Sequence, residues 1–185
     1  MNIQAVERLL FHPTKRAKNE APAGAVNIDI PLADGVILGA RLFSHAASSP
    51  TLIFFHGNTE CVPEHDEIGP CYVAEGLNFL VIDYRGFGWS GDEPRLATLL
   101  PDAGTAFLYV KNWLAEHGYT RPLAVMSRPK KHGSSNFSMA SRPKRRMLRA
   151  KPRLLANCRQ LALRQRNPRR RRKKPQRPLS SDRRG

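Results

Sequence analysis

The sequence predicts an α/β fold, with an antiparallel hairpin followed by an incomplete parallel β-α-β-α-β sheet, and then a basic tail. The first hairpin strand alternates apolar residues with period two, and three apolar runs of strand length then alternate with helical segments. The alternation stops near Met126, where the charge also changes. Residues 1–125 carry a net charge of −5 and residues 126–185 carry +21. We therefore predict a folded part, residues 1–126, and a tail, residues 127–185.

The first predicted element is the hairpin. Residues 25–31 alternate apolar and polar side chains, as a half-buried strand requires. Residues 33–35, Ala-Asp-Gly, offer a turn, and residues 36–43 continue as a second extended run. The pattern indicates two antiparallel strands joined by a short loop.

The next strands differ, because their apolar runs are continuous. The predicted strands 51–55 (TLIFF) and 78–82 (NFLVI) each consist of one polar residue followed by four consecutive apolar residues. Such runs are typical of parallel strands that are covered on both faces. A third strand begins at residues 122–126 and is followed at once by polar and basic residues.

Two helical segments separate these strands. Residues 59–75 contain Pro63 and Pro70, which interrupt a helical pattern, so we predict a broken helix there. A stronger helix is predicted from Pro101 until Gly118, which favours a stop. Its apolar face is expected to hold Ala106, Val110, Trp113 and Leu114.

The tail has a composition that opposes folding. Between residues 127 and 185 there are six prolines and a single aromatic residue, Phe137. With so little apolar surface to bury, the entropy of ordering this segment has no compensation. We predict that the tail is disordered.

Composition also bears on the compartment. The three cysteines, Cys61, Cys71 and Cys158, have neither the number nor the spacing of a disulfide framework or a zinc site. No signal-peptide pattern and no apolar run of about 20 residues is present. The expectation is a cytoplasmic chain with reduced thiols, no transmembrane segment, no metal and no cofactor.

Four segments resemble the α/β-hydrolase superfamily, in particular serine hydrolases of the serine aminopeptidase-like type. They are LLFHPT (9–14), TLIFFHGN (51–58), GLNFLVIDYRGFGWSG (76–91) and the helix DAGTAFLYVKNWL (102–114). Together they extend from residue 9 to residue 114, in the order of the family. The joint signal is the HGN turn after one strand and the DYRGFGxS turn after the next. The resemblance covers only the N-terminal portion of such a domain.

The resemblance implies roles for two turns. The main-chain N–H of Asn58 would be one oxyanion-hole donor, presented by the His56-Gly57-Asn58 turn at the carboxyl edge of the sheet. The alternative is that Gly57 only allows a tight exit from the strand. In the second turn the residues expected to be structural are Asp83, Arg85, Gly86 and Gly88.

The nucleophile of the family is missing from its expected place. A G-x-S-x-G turn should follow the third strand, but the sequence there is Ser127-Arg128-Pro129, which puts proline at the nucleophile position. Beyond it the only acid is Asp182 and the only histidine is His132. Intact relatives would hydrolyse a small-molecule ester, thioester or amide. This chain is predicted to be inactive, truncated or frameshifted after about residue 126.

Several other residues invite functional interpretations that we reject. Ser90 lies after the wrong strand and one residue short of the elbow pattern, and the G-x-G-x-x-G formed by Gly86, Gly88 and Gly91 is not followed at once by a predicted helix. Four histidines are expected to be surface residues: His12, His45, His65 and His117.

A non-enzymatic alternative rests on the tail. Six consecutive basic residues could bind nucleic acid without sequence preference: Arg169, Arg170, Arg171, Arg172, Lys173 and Lys174. Stacking platforms are almost absent, because Phe137 is the only aromatic residue of the tail. The abrupt change inside a predicted strand favours out-of-frame translation of a GC-rich gene.

Overall fold

The computed structural model describes residues 2–127. Its helices and strands, in chain order, are α1 (Ile3–Leu10), β1 (Ala25–Pro31), β2 (Ile37–Phe43), β3 (Thr51–Phe55), a 3-10 helix (Val62–His65), α2 (Gly69–Ala74), β4 (Asn78–Ile82), α3 (Leu96–Glu116) and β5 (Leu123–Ser127).

The five strands form one mixed sheet in the order β1-β2-β4-β3-β5. Strand β1 pairs with β2, and β2 with β4, in antiparallel fashion. Strands β4, β3 and β5 are parallel. The predicted hairpin and the predicted parallel β-α-β-α-β unit are therefore confirmed, with β5 at one edge of the described sheet.

Strands β3 and β4 are buried on both faces, as their apolar runs predicted. Alternate side chains of β3 and β4 point to opposite faces. On one face, Ile53 and Ile82 pack with Val110 of α3. On the other, Phe54 and Val81 pack with Val62 of the 3-10 helix.

The chain reverses its direction across the sheet at β4. From β3 it crosses to the adjacent strand β4 through the 3-10 helix and α2, and from β4 it returns past β3 to β5 through α3. Because crossovers are right-handed, opposite directions place the two helical connections on opposite faces. The loops after β3 and β4 therefore leave toward opposite faces, and α/β folds bind ligands at such a reversal, beyond the carboxyl ends of the strands.

The boundary predicted for the long helix was wrong. Helix α3 begins at Leu96, not at Pro101, which lies inside the helix. The early turn has support from outside the segment, because a carboxylate oxygen of Glu7 accepts the N–H of Leu96 at 2.9 Å. The buried face is as predicted for three of its residues, and Gly118 adopts a φ of +80° where the helix ends.

Helix α1 was not predicted. Its signal was present, since Asn2 caps it by accepting the N–H of Gln4 at 3.0 Å. Apolar residues recur at helical spacing through Ile3, Val6 and Leu10. The helix is only eight residues long and has no buried residue, so the sequence carries no long apolar face that would predict it.

Within residues 2–127 no helix is long and apolar enough to cross a membrane. The tail, predicted to be disordered, was expected to begin at Ser127, but this residue ends β5; residues 128–185 lie outside the described residues.

Candidate functional site

The candidate site lies at the carboxyl edge of the parallel strands. Phe55, the last residue of β3, is paired with Ile82 of β4 on one side and with Ser127 of β5 on the other. The residues that leave these strands therefore start from the same edge of the sheet. His56 follows β3 and Asp83 follows β4.

The peptide group between Gly57 and Asn58 is held in one orientation. The carbonyl oxygen of Gly57 accepts the N–H of Glu60 at 3.0 Å and Nδ1–H of His56 at 2.8 Å. The N–H of Gly57 donates to Oε2 of Glu60 at 3.1 Å. Glycine is therefore clamped through both of its peptide groups.

Asn58 is fixed by its side chain to the end of α1. Its Nδ2 donates to the carbonyl oxygen of Leu10 at 2.6 Å, and its Oδ1 accepts the N–H of His12 at 3.3 Å. The main-chain N–H of Asn58 makes no hydrogen bond to any of residues 2–127. A fixed and unpartnered N–H at a sheet edge is the type of donor that stabilises an oxyanion.

A buried pair of side chains lies beneath this turn. Nε2 of His56 is 3.0 Å from Oδ1 of Asp83, and both side chains are fully buried. Oδ1 also accepts the N–H of Val62 at 2.8 Å. The ring packs against Tyr84 and Phe87, with centroid separations of 4.9 and 5.3 Å. Within the described residues, Nε2 of His56 and Oδ2 of Asp83 have no well-aligned hydrogen-bond partner.

The turn after β4 is organised by Arg85. Its guanidinium makes a two-pronged bond to Asp102 of α3, with Nε to Oδ2 at 2.6 Å and Nη2 to Oδ1 at 3.0 Å. It also pairs with Asp34 at 2.7 Å and Asp92 at 3.2 Å. The hydrogen bond from Arg85 is the main cause that lowers the pKa of Asp34. The backbone N–H of Glu93 is the largest contribution to the lowered pKa of Asp92.

Two glycines of the same turn occupy conformations that other residues avoid. Gly86 has a φ of +79° and Gly88 a φ of +50°. The main chain at Gly88 also lies against Asp83, since a Cβ there would be 2.8 Å from Cγ of Asp83. Of the turn residues singled out from the sequence, Gly88 is therefore the one that leaves room for the buried carboxylate.

Ser90, which was rejected as a nucleophile, makes a contact within the fold. Ser90 is buried, and its Oγ accepts the N–H of Gly39 at 2.9 Å. This bond ties the turn to β2 and points the hydroxyl away from solvent. The geometry agrees with the interpretation that Ser90 is not a nucleophile.

One prediction about the histidines was wrong. His12, His45 and His117 are exposed, but His65 is 2% exposed and its Nδ1 donates to the carbonyl oxygen of Cys61 at 3.0 Å. The 3-10 helix turns this side chain inward, against Phe54. The local sequence did not predict the burial of His65, because Pro63 was interpreted as an interruption of the helix and not as part of a helical turn.

The thiol of Cys61 and the carboxyl group of Glu64, both near the site, have raised pKa values. Burial raises the pKa of Cys61 to about 12, and the neighbouring charges of Glu64 and Asp83 add to this. Burial, with the charge of Glu60, also raises the pKa of Glu64. Cys61 is therefore a neutral thiol at physiological pH and is not an activated nucleophile.

Sequence reasoning missed the contact between His56 and Asp83 and the role of Glu60. A signal existed for the contact, since both residues come directly after strands of the same length in a predicted parallel sheet. Pro129 and the six basic residues from Arg169 to Lys174 lie outside the described residues.

Comparison with known proteins shows distant likenesses. No protein-family model matches the chain. The uncharacterized protein YfhR of Salmonella typhimurium is 29% identical over 107 residues, covering 55% of this chain and 37% of that protein. The uncharacterized protein Rv2307c of Mycobacterium tuberculosis is 28% identical over 124 residues, covering 64% of this chain and 42% of that protein. The chain therefore spans only about two fifths of the length of these relatives.

A solved structure identifies the fold. The esterase Pf2001 of Pyrococcus furiosus aligns with 63% of this chain and 48% of its own, with a TM-score of 0.50 and 20% sequence identity. The described part of the chain has the fold of the N-terminal portion of an α/β hydrolase.

Proposed function

We propose that residues 2–127 are the N-terminal portion of a serine hydrolase that acts on a small-molecule ester, thioester or amide, and that this chain is catalytically incomplete. The observation that carries the proposal is the main-chain N–H of Asn58. It is held at the carboxyl edge of a parallel sheet and has no partner in residues 2–127.

The chemistry follows from what this N–H can do. When a nucleophile attacks a carbonyl group, negative charge develops on the carbonyl oxygen, and a preorganised N–H stabilises that charge. Removing one such donor from a serine hydrolase costs about 100-fold to 1000-fold in kcat. Asn58 supplies one donor, and a second donor and the nucleophile must come from elsewhere.

The nucleophile belongs after β5. Because Ser127 is paired with Phe55, the chain leaves β5 beside the start of the His56-Gly57-Asn58 turn. A serine on a sharp turn at this place would lie within reach of the N–H of Asn58. The sequence instead continues as Arg128-Pro129, and proline has no hydroxyl group.

The tail is explained as an out-of-frame product. Its composition changes within β5 itself, and the charge changes from −5 for residues 1–125 to +21 for residues 126–185. An evolved extension would be expected to begin at a linker. In the original frame, β5 would lead into a serine turn, followed later by the acid and the histidine of the triad.

The purified full chain tests the proposed lack of activity. We expect no hydrolysis of p-nitrophenyl acetate above the buffer rate and no covalent labelling by a fluorophosphonate. Single alanine substitutions of the serines, beginning with Ser90→Ala and Ser127→Ala, assign any labelled residue. Labelling that is abolished by a single serine substitution would show an active nucleophile and overturn the proposal.

A second candidate function, nucleic-acid binding, is favoured only by the charge of residues 126–185. It predicts binding to a duplex of arbitrary sequence that weakens steeply with salt. The binding should vanish when residues 127–185 are removed. Binding that survives this truncation would exclude the tail as its source.

A further inference from the structure

We propose that His56 and Asp83 are positioning residues that aim the main-chain N–H of Asn58 into the oxyanion site. This inference rests on the proposed function for its purpose, but its geometry is independent of catalysis.

The position of the pair follows from the topology. His56 is the first residue after β3, Asp83 is the first after β4, and the preceding residues Phe55 and Ile82 are directly paired. The two side chains therefore start from adjacent strands at the same edge of the sheet, and both are fully buried there. Topology alone places an acid beside an imidazole directly below the turn that carries Asn58.

The ring acts on the peptide group through Nδ1. The carbonyl oxygen of Gly57 can only accept, so the ring nitrogen 2.8 Å away must donate. The peptide between Gly57 and Asn58 is trans, because residues 2–127 contain no cis peptide bond. In a trans peptide the C=O and the N–H point in opposite directions. Holding the carbonyl of Gly57 towards His56 therefore directs the N–H of Asn58 away from the core.

Asp83 packs against the Nε2 edge of the ring. Its Oδ1 lies 3.0 Å from Nε2, a contact without the alignment of a hydrogen bond. The carboxylate is itself anchored by the N–H of Val62. Gly88, which has no side chain, lets the main chain close over the other oxygen. The anchored carboxylate thus limits movement of the ring at the edge opposite to the nitrogen that donates to Gly57.

A purely structural role for His56 would not require this arrangement. A core ring packed between Tyr84 and Phe87 could be phenylalanine, without the cost of burying polar atoms. Instead, both polar edges of the imidazole face groups of the site. The buried Nδ1 of His56 has a function that phenylalanine could not supply, because it orients the peptide group between Gly57 and Asn58.

The test is nuclear magnetic resonance on the labelled full chain. In the wild-type protein, we expect the side-chain spectrum of His56 to show a proton on Nδ1. The residual dipolar coupling of the Asn58 N–H is expected to fit a bond vector antiparallel to the carbonyl of Gly57. An Nδ1 without a proton would overturn the proposal even if no variant could be prepared.

Two variants with the same amide group distinguish the role of Nδ1 from that of Nε2. The amide nitrogen of His56→Asn can occupy the place of Nδ1, whereas that of His56→Gln can reach only towards the place of Nε2. We expect His56→Gln to lose the wild-type coupling of Asn58 while the couplings of β3 and β4 stay unchanged. His56→Asn should retain the wild-type coupling. An unchanged Asn58 coupling in His56→Gln would overturn the proposal.

These outcomes are distinct from failure of the proposed function. An active chain would refute the catalytic incompleteness and leave the N–H direction as measured. A fixed direction in all variants would refute the positioning role and leave the hydrolase proposal in place.

Discussion

Nε2 of His56 lies 3.0 Å from Oδ1 of Asp83, with both side chains fully buried. Breaking such a pair by removing one partner leaves the other polar group buried without compensation. The stability of the described domain should therefore depend strongly on this contact. It joins the ends of β3 and β4 and so bears on the site and on the sheet together.

Replacing Asp83 tests the energetic weight of the pair. Asp83→Ala should lower the free energy of unfolding by about 3 kcal/mol or more, because it also removes the acceptor of the Val62 N–H. Asp83→Asn keeps that acceptor and should cost at least about 1 kcal/mol less than Asp83→Ala. Urea unfolding followed by tryptophan fluorescence measures both. Equal midpoints for the two variants would refute the role assigned to the carboxylate oxygen.

Gly88 should tolerate no side chain. Gly88→Ala adds a Cβ that would lie 2.8 Å from Cγ of Asp83, at a φ of +50°. We expect a loss of more than about 3 kcal/mol, from overpacking and displacement of a buried carboxylate. Gly24→Ala is the matched control, since Gly24 has a φ of +77° and nothing within 4 Å of an added Cβ. It should cost only about 1 kcal/mol. Similar thermal midpoints for both variants would contradict this expectation.

Arg85 should not be replaceable by lysine. Arg85→Lys keeps the charge but loses the two-pronged bond to Asp102, whose side chain is 13% exposed. The expected loss of stability is about 1–3 kcal/mol. Arg95→Lys is the control, because the Arg95 side chain is 56% exposed and pairs with Asp92 at 3.4 Å. Its effect should stay within about 0.5 kcal/mol. Denaturation midpoints of the two lysine variants measure these losses. Equal losses for Arg85→Lys and Arg95→Lys would contradict the importance of the two-pronged bond to Asp102.

Cys61 should make the chain sensitive to alkali. Burial raises its pKa from 9.0 to about 12, so above pH 9 the unfolded chain releases a proton that the folded chain keeps. Stability should therefore fall as the pH rises between these values, by at most about 1.4 kcal/mol per pH unit. In Cys61→Ala the decline should be shallower, with a remainder from Tyr84, whose pKa burial raises to about 12.

The control for this pH dependence is the half-buried Cys71, for which Cys71→Ala should keep the wild-type slope. Urea midpoints measured across the alkaline range give the slopes. Identical slopes in the two alanine variants would show that the Cys61 thiol is not protected by folding.

The sheet could be predicted from the sequence because its signals are local. Strand β3 needs only the continuous apolar run at 51–55, and β4 the run at 78–82. The start of α3 could not be predicted, because it depends on Glu7, which lies 89 positions before Leu96. Burial of His65 likewise depends on packing against Phe54, which is remote from the helical turn that places it.

The candidate site was predicted in part. The HGN motif located Asn58, but the clamp on its peptide depends on Glu60 and on the ring of His56. Such contacts need coordinates, since three residues after a strand can adopt many turns. The partnership of His56 with Asp83 required the register of β3 and β4, which the sequence alone does not specify.

The central claim is that the reading frame of a serine hydrolase is interrupted after β5. It is tested most directly by resequencing the gene through codons 120–185 and translating all three frames. We expect another frame in which β5 continues into G-x-S-x-G and is followed later by an acid and a histidine. Such a frame would identify the tail as out of frame and the uninterrupted protein as a serine hydrolase. Confirmed DNA with no such frame would refute the interruption and establish residues 128–185 as the genuine continuation of the chain.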